Sequence, residues 1–337
     1  MSTPAPATPT PTSAFGARVR AWDWRRALAP TGNRGDAVFR VAMFMSALVT
    51  LLIVVGMIAA TASASVPSMR EFGFGFLVGR VWDPVQGTFG ALPFIFGTVV
   101  SSLIALTISV PLSLGIAVFL VEQAPRRIAR PVTFLVELLA AIPSVVYGLW
   151  GIFVLAPFLR DYIKPPLQKA FGWLPLFQGP VETGTGLFTA GIILAIMITP
   201  IISAVVRDVL SVVPTSQREA ALALGATKWE TTRVVLANGG PGIAGAIILG
   251  LGRAIGETMA VTMLIGNRAQ ISASLFEPSY TIASVLANEF AEASTGLFLS
   301  ALVQLGLILF LVTFLINGAA RLLVWSVTRG TSGTARA

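Results

Sequence analysis

Six runs of about 20 or more apolar residues dominate the chain, near 37–61, 91–121, 132–157, 187–206, 241–266 and 297–325. A helix of that length crosses about 30 Å of hydrocarbon, so the pattern predicts an all-α protein with six transmembrane helices. Six crossings put both termini on one side. Pro111, Pro143 and Pro200 fall inside the second, third and fourth runs, where they predict kinks whose freed carbonyls need partners on neighbouring helices.

The polar stretches between the runs differ in kind. Residues 1–36 open on a Pro-Thr-Ala tract too polar to pack, which reads as disordered. The tract ends with Arg18, Arg20, Arg25 and Arg26 around Trp22 and Trp24, a composition suited to an anionic membrane surface or to docking on a partner subunit. Residues 37–90 read as the first helix with its outer loop. Ala62-Ser63-Ala64 mimics a cleavage site, but the run before it is longer than a signal-peptide core and reads as an uncleaved anchor. Residues 157–178 alternate aromatics with charge and proline. Phe158, Tyr162, Phe171, Trp173 and Phe177 there predict short helices in the outer interface. Residues 281–293 predict an outer helix bearing Glu289 and Glu292, either a docking face or a solvated one.

The stretch 214–266 is different again, a polar helix-turn-helix running directly into an apolar span. Ser216 with Glu219 and Thr227 with Glu230 each fit a capping box, predicting two short helices on either side of Gly225, the left-handed stop between them. Ala220, Ala221, Ala223 and Leu224 make a small, smooth surface that a groove can accept. Spacing alone fits an ordinary amphipathic loop equally well.

Composition agrees with the membrane reading. The chain is 55% hydrophobic and 11% charged, with mean hydropathy +0.83, too apolar for a soluble globule. Its net charge of +8 would point to nucleic acid in a soluble protein, but here the basic residues flank apolar runs and act as topology signals; no nucleic-acid partner is expected. Lys and Arg number 16 on the side that holds both termini and residues 207–240, and 6 on the other. The positive-inside rule then places both ends and the 214–240 loop in the cytoplasm, with a short tail at 326–337. There is no cysteine and no histidine, which excludes disulfides, thiolate chemistry and His-ligated metals. No metal site or cofactor is expected. The three lysines, Lys164, Lys169 and Lys228, none preceded by glycine, rule out a Walker loop, so any ATP hydrolysis belongs to another polypeptide.

If the fifth span runs from Pro241 to Ile265, Arg253 falls at its midpoint, where a charge costs at least about 2.5–3.5 kcal/mol. Glu257 follows one turn later on the same face, in the weaker order for stabilising a helix. One reading is a buried ion pair locking two helices. The other is a guanidinium facing an aqueous path and meeting a passing oxyanion, for which its planar fork of donors is suited. Gly252 and Gly256 form a small-xxx-small step that predicts close contact with another helix, here the equivalent span of a second subunit. Glu137, in the third run, reads as snorkelling or bonded to a neighbouring helix before it reads as a path residue. Asn288, Gln304 and Asn317 fit either a path lining or inter-helix glue.

Glu219-Ala220-Ala221, three residues, then Gly225 resembles the cytoplasmic EAA loop of ABC importer permeases. Val235, Ala237 and Asn238 depart from that motif's Ile-x-Leu-Pro end. GLGRAIGETMAV (250–261) and LANEFAEA (286–293) resemble, more narrowly, the PstC-type permease subunit of the phosphate ABC importer. The resemblance covers about residues 90–325, a transmembrane domain at 91–325 with its loop at 214–240, and implies a type I ABC importer permease fold in a bacterial plasma membrane. It implies inorganic phosphate as substrate, Arg253 and Glu257 as transport residues, and Glu219, Ala220, Ala221 and Gly225 as the contact with an ATPase. Implied partners are a PstA-like second permease, PstB-like ATPase subunits and an extracytoplasmic PstS-like phosphate-binding protein, all acting within membrane lipid. A permease for molybdate or sulfate, and an ion-driven secondary carrier, are the alternatives. A signalling anchor has no use for a mid-membrane ion pair, and an enzyme is disfavoured by the absence of His and Cys.

Overall fold

The computed structural model describes residues 34–333. The basic Trp-containing segment expected at the N-terminus lies outside the described residues. Contacts divide the chain into two units, one ending at Ile58 and the other beginning at Ala59. Helix α1 (Arg34–Ala64) contributes to both. Its apolar side chains from Val38 to Ile58 are exposed nearly all round, as befits a helix solvated by lipid.

In the second unit, α2 (Val66–Phe72) follows, and Ser300 Oγ donates to the Ala64 carbonyl while accepting from the Ser68 N–H. A two-residue hairpin, β1 (Trp82–Asp83) and β2 (Thr88–Phe89), pairs antiparallel and presents Trp82 and Phe89 to Phe94 and Phe298. Helix α3 (Leu92–Val118) ends in a π turn, Phe119–Gln123. Six helices among the described residues are long and apolar enough to span a membrane.

The third of these differs from expectation. Instead of one helix over 132–157 there is an amphipathic α4 (Arg126–Ala140), a break, and then α5 (Ser144–Phe171). Pro143 accounts for the break. It disfavours helical backbone at the residue before it and stands just ahead of Ser144, so it divides the apolar run rather than kinking it. Helix α5 then continues through two π turns to Phe171, taking up much of the stretch expected as short interfacial helices. The second π turn lies just before Pro165 and Pro166, which lack the N–H groups that regular turns would use. Lys164, fully buried, donates through Nζ to the carbonyls of Thr183 (2.8 Å), Thr185 (3.3 Å) and Gly184 (3.4 Å), fastening the following loop to α5.

Helix α6 (Leu187–Val212) is the centre of the core, with Ile193, Ile198, Ile202 and Val206 fully buried. Gly191 lets α3 approach so closely that a Cβ there would lie 2.5 Å from Ile104. Next to Pro200, the Thr199 carbonyl accepts from Ser113 Oγ on α3 at 3.0 Å, an inter-helix bond that does not involve the carbonyl of Ile196, the one the proline frees. Pro111 lies within α3 as expected.

Helices α7 (Thr215–Ala223) and α8 (Lys228–Gly256) come next, then the short α9 (Met259–Leu264) and α10 (Ile282–Glu289). Helix α11 runs from Gly296 to Gly333.

Candidate functional site

The elbow between α7 and α8 forms for reasons mostly visible in its residues. Gly225 adopts φ +83°, the left-handed stop expected of it. Thr227 and Glu230 close a capping box: the Thr227 N–H donates to Glu230 Oε2 at 2.7 Å and the Glu230 N–H to Thr227 Oγ1 at 3.3 Å. The Thr227 backbone N–H, and after it the Thr227 hydroxyl, which donates to Glu230 Oε2 at 2.8 Å, hold the Glu230 carboxyl below its ordinary pKa. The first capping box does not form. Helix α7 begins at Thr215 behind Pro214, which puts Ser216 inside the first turn instead of at the cap. The second helix is not short either, because α8 continues for 29 residues through Asn238 and Pro241.

Helix α7 buries none of its residues. Glu219, Ala220 and Gly225 are exposed and Ala221 is half-buried, with Leu222, Leu224 (91% exposed) and Trp229 also presented to the outside. Three large apolar side chains on a polar elbow form a surface suited to a groove in another protein.

Helix α8 has two faces. Ala246 and Ala254 are buried, and a Cβ at Gly242 or Gly250 would come within 2.6 Å of Val209 or 2.5 Å of Ile202, so these four small residues, each four apart, allow close packing on α6. Gly252 and Gly256, the step singled out from the sequence, lie elsewhere: a Cβ at either meets nothing within 4 Å. The stripe that packs within the chain is a four-residue repeat of Gly and Ala in the sequence, indistinguishable by spacing from the Gly252–Gly256 step on the other face.

Arg253 lies on the open side. It is not at the middle of a continuous span, because α8 stops at Gly256 and the backbone turns extended at Glu257 (ψ 128°) before α9 begins. Arg253 therefore occupies the last helical turn, where its charge complements the free carbonyls of the helix end. The side chain is 44% exposed, and its Nη2 stands 3.7 Å from Oε2 of Glu257, which is 6% exposed. That separation is an ion pair without a hydrogen bond. The guanidinium keeps donors free for a ligand, and the buried carboxylate fixes the charge behind it.

Glu137 on α4 pairs with Arg207 on α6 at 3.0 Å, the inter-helix bond anticipated. Asn288 donates to the Tyr280 hydroxyl at 2.9 Å, and the neighbouring Glu289 accepts from Trp82 Nε1 at 2.7 Å. Burial raises the Glu289 carboxyl above its usual pKa. The side-chain oxygens of Gln304 and Asn317 are buried without a partner among the described residues. No group of three potential metal ligands occurs among the described residues.

Residues 109–329 match the model of a family described as "binding-protein-dependent transport system inner membrane component". The chain belongs to this family. Its fold is accordingly that of a type I ABC importer permease, and it is a multi-pass membrane protein. Relatives within the family include the phosphate transport system permease protein PstC of Mesorhizobium japonicum, 47% identical, with 87% of this chain and 90% of that protein covered. PstC of Pasteurella multocida is also 47% identical, over 87% and 93%. PstC 2 of Mycobacterium tuberculosis is 44% identical, over 88% and 94%. These place the chain among the PstC-type permeases. A chain of the solved MetNI methionine ABC transporter is 21% identical, with 71% of this chain and 94% of that one covered and a TM-score of 0.46.

Proposed function

We propose that the chain is the permease subunit of an ATP-driven importer of inorganic phosphate, forming one half of a heterodimeric pore with a PstA-like subunit. The observation that carries this reading is Arg253, half-exposed on the open face of α8 with Glu257 buried behind it, in a chain whose relatives bear the name of phosphate permeases. A planar guanidinium with unused donors suits a tetrahedral oxyanion. Glu257 offsets the charge so that the anion is released, and it accepts a hydrogen bond from a protonated phosphate, which sulfate at neutral pH cannot offer. The open face, with Gly252 and Gly256, is the side that meets the second permease.

The exposed elbow of Glu219, Ala220, Ala221 and Gly225 docks on a PstB-like ATPase, since this chain carries no Walker lysine. A PstS-like protein delivers phosphate from outside. Both termini and the elbow lie in the cytoplasm of a bacterial cell, in keeping with the 16-to-6 distribution of Lys and Arg. Closure of the ATPase dimer carries α7 with it and swings α8, so the path by Arg253 opens outward and then inward. This requires the elbow to bind the closed ATPase differently from the open one.

The test is ATP-dependent phosphate uptake into proteoliposomes holding the full complex, with sulfate and molybdate as competitors. Uptake resistant to both supports the assignment, and uptake that either abolishes overturns it in favour of the other oxyanion.

A further inference from the structure

Besides α8, which continues from the elbow into the membrane region, one side chain of the elbow reaches across to other membrane helices. Arg218, next to Glu219 in sequence, turns inward and spends its guanidinium on two elements at once. Its Nε and Nη2 donate to Glu122 Oε1 at 3.1 and 2.9 Å, on the π turn that finishes α3. Its Nη1 donates to the Val213 carbonyl at 2.6 Å, and Nη2 also to the Leu210 carbonyl at 2.9 Å, both at the C-terminal end of α6. The pair is largely enclosed, with Arg218 19% and Glu122 12% exposed.

Helix α7 otherwise leans on α8, which runs on from the elbow into the membrane region. None of the residues of α7 is buried, and beneath it, between α6 and α8, lies a cleft of about 340 Å³ lined by Val209, Val213, Gln217, Gly239 and Gly242 among others. The helix that would meet the motor thus stands over a hollow, and a fork of charged hydrogen bonds connects it to the ends of two membrane helices.

We infer that Arg218 is a positioning residue for coupling, holding α7 and the C-terminal ends of α3 and α6 together as one rigid piece. Movement of the elbow then reaches the membrane core directly and is not absorbed in the cleft. Three features suit it to that task. The guanidinium is planar and cannot lose its proton, Glu122 accepts two of its donors, and two carbonyls at the end of α6 accept two more. This inference rests on the reading of the chain as an ATP-driven permease.

The experiment uses the full complex in proteoliposomes and measures phosphate moved per ATP hydrolysed, normalised to assembled complex. For Arg218→Gln the ratio is expected to fall roughly tenfold, within the range of typical coupling energies. For Glu122→Gln, which leaves the carbonyl bonds in place, a fall of about threefold is expected on the same scale. The double variant should be no worse than Arg218→Gln, because both act on one joint. A merely structural role would lower uptake and hydrolysis in proportion, leaving the ratio at the wild-type value, and that result would overturn the inference. If Arg218→Gln does not assemble, Glu122→Gln decides: a wild-type ratio there sinks the proposal. A wild-type complex that hydrolyses ATP but moves no phosphate would bring down the functional reading and the inference with it, whereas normal wild-type transport with unchanged ratios in the variants would bring down the inference alone.

Discussion

Two arginine–glutamate pairs lie at opposite ends of the region from Pro214 to Gly266, and they are built differently. Arg218 bonds Glu122 across two elements, with donors at 2.9 and 3.1 Å and two more on backbone carbonyls. Arg253 and Glu257 sit on one helix end, 3.7 Å apart, with the arginine 44% exposed. The first arginine has four of its five donors met inside the chain. The second has most of its own unmet. A satisfied, enclosed pair holds structure together, and removing one partner strands the other. An unsatisfied, open pair contributes little to the fold and is free to act on something that arrives. Placement follows chemistry: the closed pair joins the elbow to the core, and the open pair stands where α8 breaks.

The largest effect that would test this contrast is Arg253→Gln, which should leave the folded chain intact while lowering phosphate uptake by roughly ten- to a hundredfold, the cost of losing charged hydrogen bonds to the anion. Uptake and Tm measured together check it. A comparable loss of stability would make Arg253 a residue that holds the fold and not one that receives the anion.

Next comes the contrast between the faces of α8. Gly250→Leu drives a side chain into Ile202 and should destabilise the chain by about 1–3 kcal/mol. Gly252→Leu meets no atom of the same chain within 4 Å of its Cβ, so it should leave the Tm of the isolated subunit alone and reduce its co-purification with the second permease. Equal stability losses at both positions would erase the distinction between the faces.

Glu257→Gln should change uptake less than Arg253→Gln and show itself chiefly as weaker discrimination against sulfate in competition assays. Unchanged discrimination would remove Glu257 from the recognition of the proton. The smallest expected effect belongs to the elbow's cap. Thr227→Ala removes the hydroxyl that accepts from the Glu230 N–H, loosening the start of α8. Because Thr227 holds the Glu230 carboxyl below its ordinary value, the cap's stabilisation is full above the usual carboxylate range and lost as pH falls through the lowered value. Hydrogen exchange at residues 227–231 should therefore depend less on pH in the variant than in the wild type.

Much of this could be read from the residues because the signals are local. Apolar runs mark spans, a glycine between two polar helices marks the turn at Gly225, and a Thr-x-x-Glu spacing marks the cap at Thr227. What stayed hidden depends on distant neighbours or on competition between similar local choices. Pro214 took the cap position that Ser216 was expected to fill. Pro143 can either kink a helix or end one, and the residues around it do not announce that it ends one here. The break after Gly256 carries no proline to announce it. Arg218 and Glu122 are 96 residues apart, so no periodicity connects them. Of the proposed path pair, the sequence shows charge and spacing, but not that the helix stops between its members.

The account turns on whether the open arginine receives the anion. ATP-driven phosphate uptake by the reconstituted complex should fall steeply with Arg253→Gln and recover in part with Arg253→Lys, which restores the charge without the fork. Wild-type uptake with Arg253→Gln, in a complex that assembles normally, would contradict it.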